Sequence, residues 1–257
     1  MSRFSSIQSP AESSPTATPA AEEFGVEFYL KEGDAALARG RYESALKSYG
    51  RALERDRENQ DAWYGQARAL VEMGHSDVAF TWLEQAGQTI GETPRVLALR
   101  AISCARRALI EEALAWSDRA MRGGNDDAEV WLSRAEVLYA GRRNDVAAAT
   151  LKKAAERTPT TETRRRCGEV ALYYGDLGAA RVWLERASRE NPEDPLAALH
   201  LGVLAERYGD DDKARGELMR ALNLQPGLEA AKMALATLDN RSPWERFKQS
   251  WRKWNHG

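Results

Sequence analysis

The chain has 257 residues, with 37 lysines and arginines against 39 aspartates and glutamates, so its formal charge is −2 at neutral pH. A chain with so little net charge is not expected to bind nucleic acid over its whole surface, although the net charge does not exclude a local basic patch. Charged residues make up 30% and apolar residues 43%, which is typical of a helix-rich globular protein. No run of about 18 apolar residues occurs, so no transmembrane helix is expected.

The first segment, residues 1–24, is rich in serine, proline, alanine and threonine. This composition predicts a disordered leader, because it offers too little apolar surface to offset the entropy of ordering. It has no apolar core of the kind found in secretory signal peptides. A short recognition segment is the alternative reading.

From about residue 25 onward the sequence repeats with a period of 34. Small residues recur in three independent series with steps of 34, 34, 34, 33 and 34. The series are Gly33, Ala67, Ala101, Ala135, Gly168, Gly202; Ala45, Ala79, Ala113, Ala147, Ala180, Ala214; and Ala52, Ala86, Ala120, Ala154, Ala187, Ala221. A fixed period of this length predicts a stack of similar units rather than one globular core.

Each unit is predicted to form two helices joined by a tight turn. In the first unit, helical spacing of apolar residues runs through Leu37, a turn follows at Gly40, and a second helix spans about 42–55. Gly74, Gly175 and Gly209 occupy the matching turns, where a left-handed backbone favours glycine. The third unit has Ala108 there and the fourth has Gly141 displaced by one residue, so we expect altered turns in both.

This pattern resembles the tetratricopeptide repeat family. The best-matching stretches are AWYGQARALVEMG (62–74), VWLSRAEVLY (130–139), LGAARVWLERASRENP (177–192) and LGVLAERYGDDDKARGELMRALNLQP (201–226). The resemblance implies an all-α, right-handed superhelical solenoid of six helix-turn-helix repeats over residues 25–227. A capping helix at 228–240 and an extra amphipathic helix at 241–257 are expected to follow.

The resemblance also implies that the first helix of each repeat lines a concave, partner-binding groove. Projecting the repeat onto that face gives a mixed set of aromatic and charged candidates: Asp34, Tyr64, Arg68, Arg106, Glu136, Tyr139, Arg165, Glu169 and Arg207. Such a surface suits an extended peptide or a partner helix. Solvated helix faces without a ligand are the alternative for each residue taken alone. The lysine and asparagine that clamp acidic chaperone tails in some family members are missing here, so that partner is not expected.

No motif for catalysis, metal binding or a cofactor is present. The three histidines are far apart, and neither HExxH, GxSxG nor a phosphate-binding loop occurs. Cys104 and Cys167 lack partners at metal-ligand spacing and are expected to be small core residues of a reducing compartment. We therefore expect no enzyme activity, no cofactor and no metal.

The C-terminal segment RSPWERFKQSWRKWNHG combines aromatic and basic residues and carries a charge of +4. On a helix beginning near Ser242, an aromatic stripe would lie within an arc of about 80°. The stripe consists of Trp244, Phe247, Trp251 and Trp254. Three readings remain open: packing on the protein's own last helices, contact with an anionic membrane interface, and docking on another protein or a second copy of this chain.

Together these features predict a non-catalytic, cytoplasmic and bacterial scaffold or adaptor that presents its concave face to a segment of another protein. The alternatives are a peripheral membrane assembly factor tethered by the C-terminal helix and a regulatory subunit of an enzyme complex. Self-association and weak contact with anionic membranes stay open as partners, and nucleic acid is not expected.

Overall fold

The computed structural model describes residues 24–240, and within this range it contains thirteen α-helices and no β-strand. The helices are α1 Val26–Ala38, α2 Tyr42–Arg55, α3 Gln60–Glu72, α4 Ser76–Ile90, α5 Pro94–Arg106, α6 Ile110–Gly123, α7 Ala128–Ala140, α8 Asn144–Arg157, α9 Thr161–Tyr173, α10 Leu177–Glu190, α11 Pro195–Arg207, α12 Asp211–Leu224 and α13 Glu229–Asp239. The leader up to residue 23 and the aromatic segment 241–257 lie outside the described residues.

The first twelve helices form six pairs, and each pair packs on the next, so the predicted all-α solenoid is confirmed. The predicted second helix of the first unit is also confirmed, since α2 spans Tyr42–Arg55. α13 lies in the predicted capping segment and packs mainly against α12. No helix in the described part of the chain is long and apolar enough to cross a membrane.

The helix starts follow from local sequence. Most first helices begin at a polar residue whose side chain accepts a hydrogen bond from a backbone N–H in the first turn, which satisfies groups that the helix leaves free. These capping residues are Asn59, Thr93, Asp127, Thr160 and Asp194. Pro94 and Pro195 occupy the first helical position, where the missing N–H costs nothing.

The periodic small residues bring paired helices close together around one large residue per unit. In the first unit this residue is Tyr49, whose ring lies against Gly33 and also against Gly65 of the next repeat. A methyl group at Gly33 would come within 2.6 Å of Tyr49 Cε1, so glycine is required there. The equivalent large residues in four other units are fully buried: Leu83, Leu151, Leu184 and Leu218.

The expectation that the third and fourth turns are altered is wrong. Residues Ala108 and Arg142 adopt left-handed backbone conformations, with φ of 62° and 58°, in the place that glycine takes in the other four turns. The fourth turn thus uses Arg142 rather than the displaced Gly141. All six turns make the same two hydrogen bonds to the end of the first helix, for example from Gly40 N to Leu37 O and from Arg142 N to Tyr139 O. The packing of the paired helices therefore sets the turn even where its residues do not favour it.

Candidate functional site

The first helices turn their charged side chains toward a shared interior, and Glu129 of α7 is at its centre. Glu129 Oε2 accepts a hydrogen bond of 2.5 Å from the Tyr64 hydroxyl of α3. Its other oxygen, Oε1, accepts one from the Arg166 guanidinium of α9 and lies 4.0 Å from Arg68 of α3. These contacts join helices of the second, fourth and fifth repeats across the interior. The array therefore curves tightly enough for non-neighbouring repeats to touch.

The ion pairs control the protonation of Glu129. Burial alone would raise the pKa of its carboxyl group, but the Arg166 and Arg68 guanidiniums more than offset this effect. The pKa of Glu129 is therefore held well below its usual range. A half-buried carboxylate with this many cationic and hydrogen-bonding partners is ionised whenever the protein is folded near neutral pH.

A second set of charges surrounds Arg106 of α5. Its guanidinium donates a hydrogen bond of 2.7 Å to the carbonyl oxygen of Val71 and lies 3.3 Å from Glu136 and 3.9 Å from Glu72. Glu136 is almost completely buried. Burial raises the pKa of Glu136, and the neighbouring Arg106 offsets only part of that rise. Arg106 of α5 thus connects α3, through Glu72 and Val71, with α7, through Glu136.

A third set lies between α9 and α11. The Arg165 guanidinium pairs with Glu169 and lies 3.1 Å from Asp194, while Nδ1 of His200 lies 3.1 Å from Glu169. Burial would raise the pKa of Glu169, but Arg165 and His200 together lower it to about 2. Burial lowers the pKa of His200, and the nearby Glu169 reverses only part of this change.

The two ends of the array meet beside this interior. The side-chain amide of Gln225 donates a hydrogen bond of 3.0 Å to the carbonyl oxygen of Arg39, 186 positions earlier in the chain. The turn at Gly40 lies against Leu196 and Leu228. The first repeat thus contacts the sixth, and the tetratricopeptide-like groove predicted from sequence is closed along one side.

Among the described residues, two spaces open from this interior. The first, which we call the open cleft, consists of adjoining cavities of about 480 and 560 Å³ that share Asp61, Tyr64, Arg95 and Thr158. The second, the central cavity, has a volume of about 240 Å³ and lies near the C-terminal ends of the first helices. Its lining includes Tyr42, Arg106, Glu136, Glu169, His200 and Arg207.

Seven of the nine groove residues predicted from sequence line one of the two spaces. Asp34, Tyr64 and Arg68 line the open cleft, whereas Arg106, Glu136, Glu169 and Arg207 line the central cavity. Arg165 is buried beneath the surface in its ion pairs. Tyr139 packs on Tyr174 and donates a hydrogen bond of 2.8 Å to Asp176, so it braces the start of α10 and lines neither space.

Several residues of this interior were not predicted as groove residues from the sequence, among them Glu129, Arg166, Arg95, His200 and Tyr42. A signal for some of them was present. The second residue of five successive first helices is charged and keeps the repeat spacing: Glu27, Asp61, Arg95, Glu129 and Glu162. Four of the five line the open cleft.

In the walls of the open cleft, acidic side chains outnumber basic ones. Its walls hold six carboxylates and three guanidiniums. Arg68 and Arg166 face Glu129, and Arg95 lies 2.5 Å from Asp127 with its guanidinium over the Tyr64 ring. Asp61, by contrast, has a side chain that is 74% exposed.

The described residues provide neither a metal-binding cluster nor an accessible thiol. Among the described residues, no group of histidine, cysteine and carboxylate side chains is arranged to hold a metal ion. Cys104 and Cys167 are both buried free thiols, and burial raises the pKa of Cys167 to about 12. Neither thiol is therefore in a state to react at neutral pH.

Comparisons with known proteins agree with this architecture. Two family models, both described as tetratricopeptide repeat, match residues 36–102 and 168–229. The fold is similar to that of TTC0263, a thermophilic TPR protein from Thermus thermophilus, with 24% identity, a TM-score of 0.55, and 70% of this chain and 99% of that chain covered. A tetratricopeptide repeat protein from Parabacteroides merdae has a TM-score of 0.56 at 15% identity, covering 86% and 87% of the two chains.

A third similar structure is the human IFIT1 dimer with PPP-AAAA, with a TM-score of 0.56, 20% identity, and 77% of this chain and 50% of that chain covered. No curated protein sequence matches this chain. At these identities the structural likeness concerns the fold alone.

Proposed function

The chain belongs to the tetratricopeptide repeat family, and we propose on that premise that it is a non-catalytic scaffold whose open cleft binds a segment of another protein. A tetratricopeptide repeat fold in general serves protein–protein interaction.

The observation that carries the proposal is the contrast between the filled interior and the open cleft. In the interior, Arg106 is paired with Glu136 of the next first helix, and Arg165 is paired with Glu169 of its own helix and with Asp194 at the start of α11. A partner that displaced these pairs would have to leave buried charges without partners, which is costly. In the open cleft, a partner can contact the exposed carboxylates of Asp61 and Asp126 while the Glu129–Arg166 pair in the wall stays intact, and the adjoining cavities are large enough for several side chains of an extended peptide or a helix.

The charge of the cleft indicates what kind of segment fits. Carboxylates outnumber guanidiniums, and three of them, Asp126, Asp61 and Glu162, have side chains that are more than half exposed. Complementarity therefore favours a segment that carries lysine or arginine. The Arg95 guanidinium already lies over the ring of Tyr64 beside them, so an added cationic side chain would contact the carboxylates rather than this ring face.

The experiment compares two charge reversals in the full-length protein. Asp61→Lys reverses an exposed charge of the cleft without touching the Tyr64–Glu129–Arg166 contacts, whereas Glu84→Lys makes the same change at an exposed position of α4. Proteins captured from native lysate, from soluble and membrane fractions separately, are quantified by mass spectrometry. We expect Asp61→Lys to reduce capture of the main partners at least tenfold and Glu84→Lys to retain them.

Circular dichroism of both variants checks that the array is intact. If the two variants capture the same proteins in the same amounts as the wild type, the open cleft is not the binding site. Partners held by carboxylates should also be released by raising the salt concentration, since exposed charge pairs are screened.

A further inference from the structure

The open cleft carries more negative charge than its own walls neutralise. Six carboxylates and three guanidiniums line it, which leaves a charge of −3. The guanidiniums are all taken up by two carboxylates of the wall, because Arg68 and Arg166 face Glu129 and Arg95 lies 2.5 Å from Asp127. The other four carboxylates belong to exposed residues: Asp34, Asp61, Asp126 and Glu162. A basic occupant therefore meets accessible negative charge in this cleft.

The same chain contains a segment of the opposite charge. Segment 241–257 has five basic residues and one acidic residue, a charge of +4. Since the whole chain carries −2, the 240 residues before this segment carry −6. Two of the basic residues, Arg252 and Lys253, are adjacent and lie between Trp251 and Trp254. The chain thus separates an acidic array from a basic C-terminal segment.

The helix from which this segment continues starts beside the cleft. The turn at Gly40 lies against Leu228, which directly precedes α13, and Ala38, two positions before that turn, lines the open cleft. Asn240 is twelve helical residues beyond Leu228, at about 1.5 Å each, so it lies within roughly 35 Å of Ala38. An extended chain covers about 3.4 Å per residue, so Trp251 can lie roughly 37 Å from Asn240. Residues from Trp251 onward therefore reach the cleft of their own molecule.

We propose that residues 251–257 occupy the open cleft of the same molecule, with Arg252 and Lys253 against its exposed carboxylates, and that a partner segment binds by displacing them. The displacement rests on the proposed function, because it takes the cleft as the partner site. The covalent tether gives the segment an effective concentration that is roughly millimolar, so a contact that is weak by itself is sufficient in cis. A partner has to compete with this contact, and occupancy by the chain's own segment regulates its binding.

The cleft also provides apolar surface for the two tryptophans that flank the basic pair. Ala38 is exposed in its wall, and the half-buried Pro94 lies in the adjoining cavity with Asp61 and Asp126. Aromatic rings gain most from such apolar contact, whereas the cations between them pair with carboxylates.

Competition with a peptide tests whether the cleft is occupied. The probe is a fluorescein-labelled peptide with the sequence of residues 241–257, and its binding to full-length protein is followed by fluorescence anisotropy at low salt. Arg252→Glu combined with Lys253→Glu releases the segment, so this variant should bind the peptide at least tenfold more tightly than the wild type does. Asp61→Lys, added to that variant, should weaken peptide binding at least tenfold.

Lys152→Glu combined with Lys153→Glu is the matched control, because it makes the same change of charge at exposed positions of α8. It should bind the peptide as weakly as the wild type. Equal binding by the wild type and the Arg252→Glu, Lys253→Glu variant would overturn the proposal. So would a control variant that binds as tightly as that variant.

Zero-length cross-linking of the wild type with a carbodiimide locates the contact. In dilute solution, mass spectrometry of the monomer should find Lys253 linked to carboxylates of the open cleft: Asp61, Asp126 or Glu162. Links found only in dimers, or only to Asp211 and Asp212 at the start of α12, would overturn the proposal.

The two proposals for this cleft can fail separately. Lys253 linked to the cleft, together with unchanged capture of lysate proteins by Asp61→Lys, would disprove the partner site and confirm the contact in cis. Loss of capture in Asp61→Lys, without cross-links and without a gain in peptide binding by the Arg252→Glu, Lys253→Glu variant, would disprove the contact in cis alone.

Discussion

Contacts between paired helices repeat from one end of the array to the other, whereas the interior formed by the first helices differs in every unit. Leu151, Leu184 and Leu218 all lie at the same repeat position and are all fully buried. The position of Arg68, in contrast, holds Ile102 in the next first helix and Glu136 in the one after that. The difference separates the residues that make the fold from those that distinguish this protein from others with the same fold.

The largest expected effect comes from a substitution in the repeated packing layer, which is formed by the fully buried large residue of each helix pair, such as Leu184. Leu184→Ala removes a fully buried side chain that fills the space over Gly168, and it should lower the free energy of unfolding by about 3 kcal/mol. Urea denaturation followed by circular dichroism measures the loss.

Val182→Ala is the matched control because its side chain lies on the same helix but is 60% exposed. The free energy of unfolding should change by less than about 0.5 kcal/mol in that variant. Equal losses in both variants would mean that burial at the repeat position does not decide the stability of the layer.

The second prediction concerns a substitution in the interior formed by the first helices. Glu129→Gln leaves the shape of the side chain but removes the charge that Arg166 and Arg68 face, so it should destabilise the protein by about 3 kcal/mol at pH 7. Glu162→Gln is the control, since that carboxylate is more exposed and lies 3.9 Å from Arg68; its effect should stay below about 1 kcal/mol.

This loss should depend on pH in a defined direction. The pKa of Glu129 is lowered in the folded protein, so the stabilisation by its charge is fully present above the unfolded pKa of about 4.3 and is lost as the pH falls through the folded value. The difference in melting temperature between wild type and Glu129→Gln should therefore narrow below about pH 4. A gap that stays constant from pH 7 to pH 3 would contradict the assigned ion pairs.

The same contrast explains how much could be predicted from the sequence. The helix pairs and their close packing follow from local composition, because a small residue such as Ala67 or Ala135 has one role wherever it recurs. Which residues of the interior would meet could not be predicted, because the contact of Arg68 or Tyr64 with Glu129 depends on the curvature summed over several repeats. The contact between the two ends of the array, at Gln225 and Arg39, has the same origin.

The smallest predicted effect tests how far the repeated packing controls the backbone. Arg142 is held at a φ of 58°, a conformation that costs a non-glycine residue about 1 kcal/mol. Arg142→Gly should therefore stabilise the protein by about 0.5 kcal/mol, since relief of strain is partly offset by the greater freedom of glycine in the unfolded chain. Gly175→Ala, at a φ of 82° in the fifth turn, should destabilise it by about 1 kcal/mol. Differential scanning calorimetry of the two variants gives the signs. If Arg142→Gly is destabilising, the arginine side chain contributes more to the fourth turn than its backbone strain costs, and the turn is not imposed by packing alone.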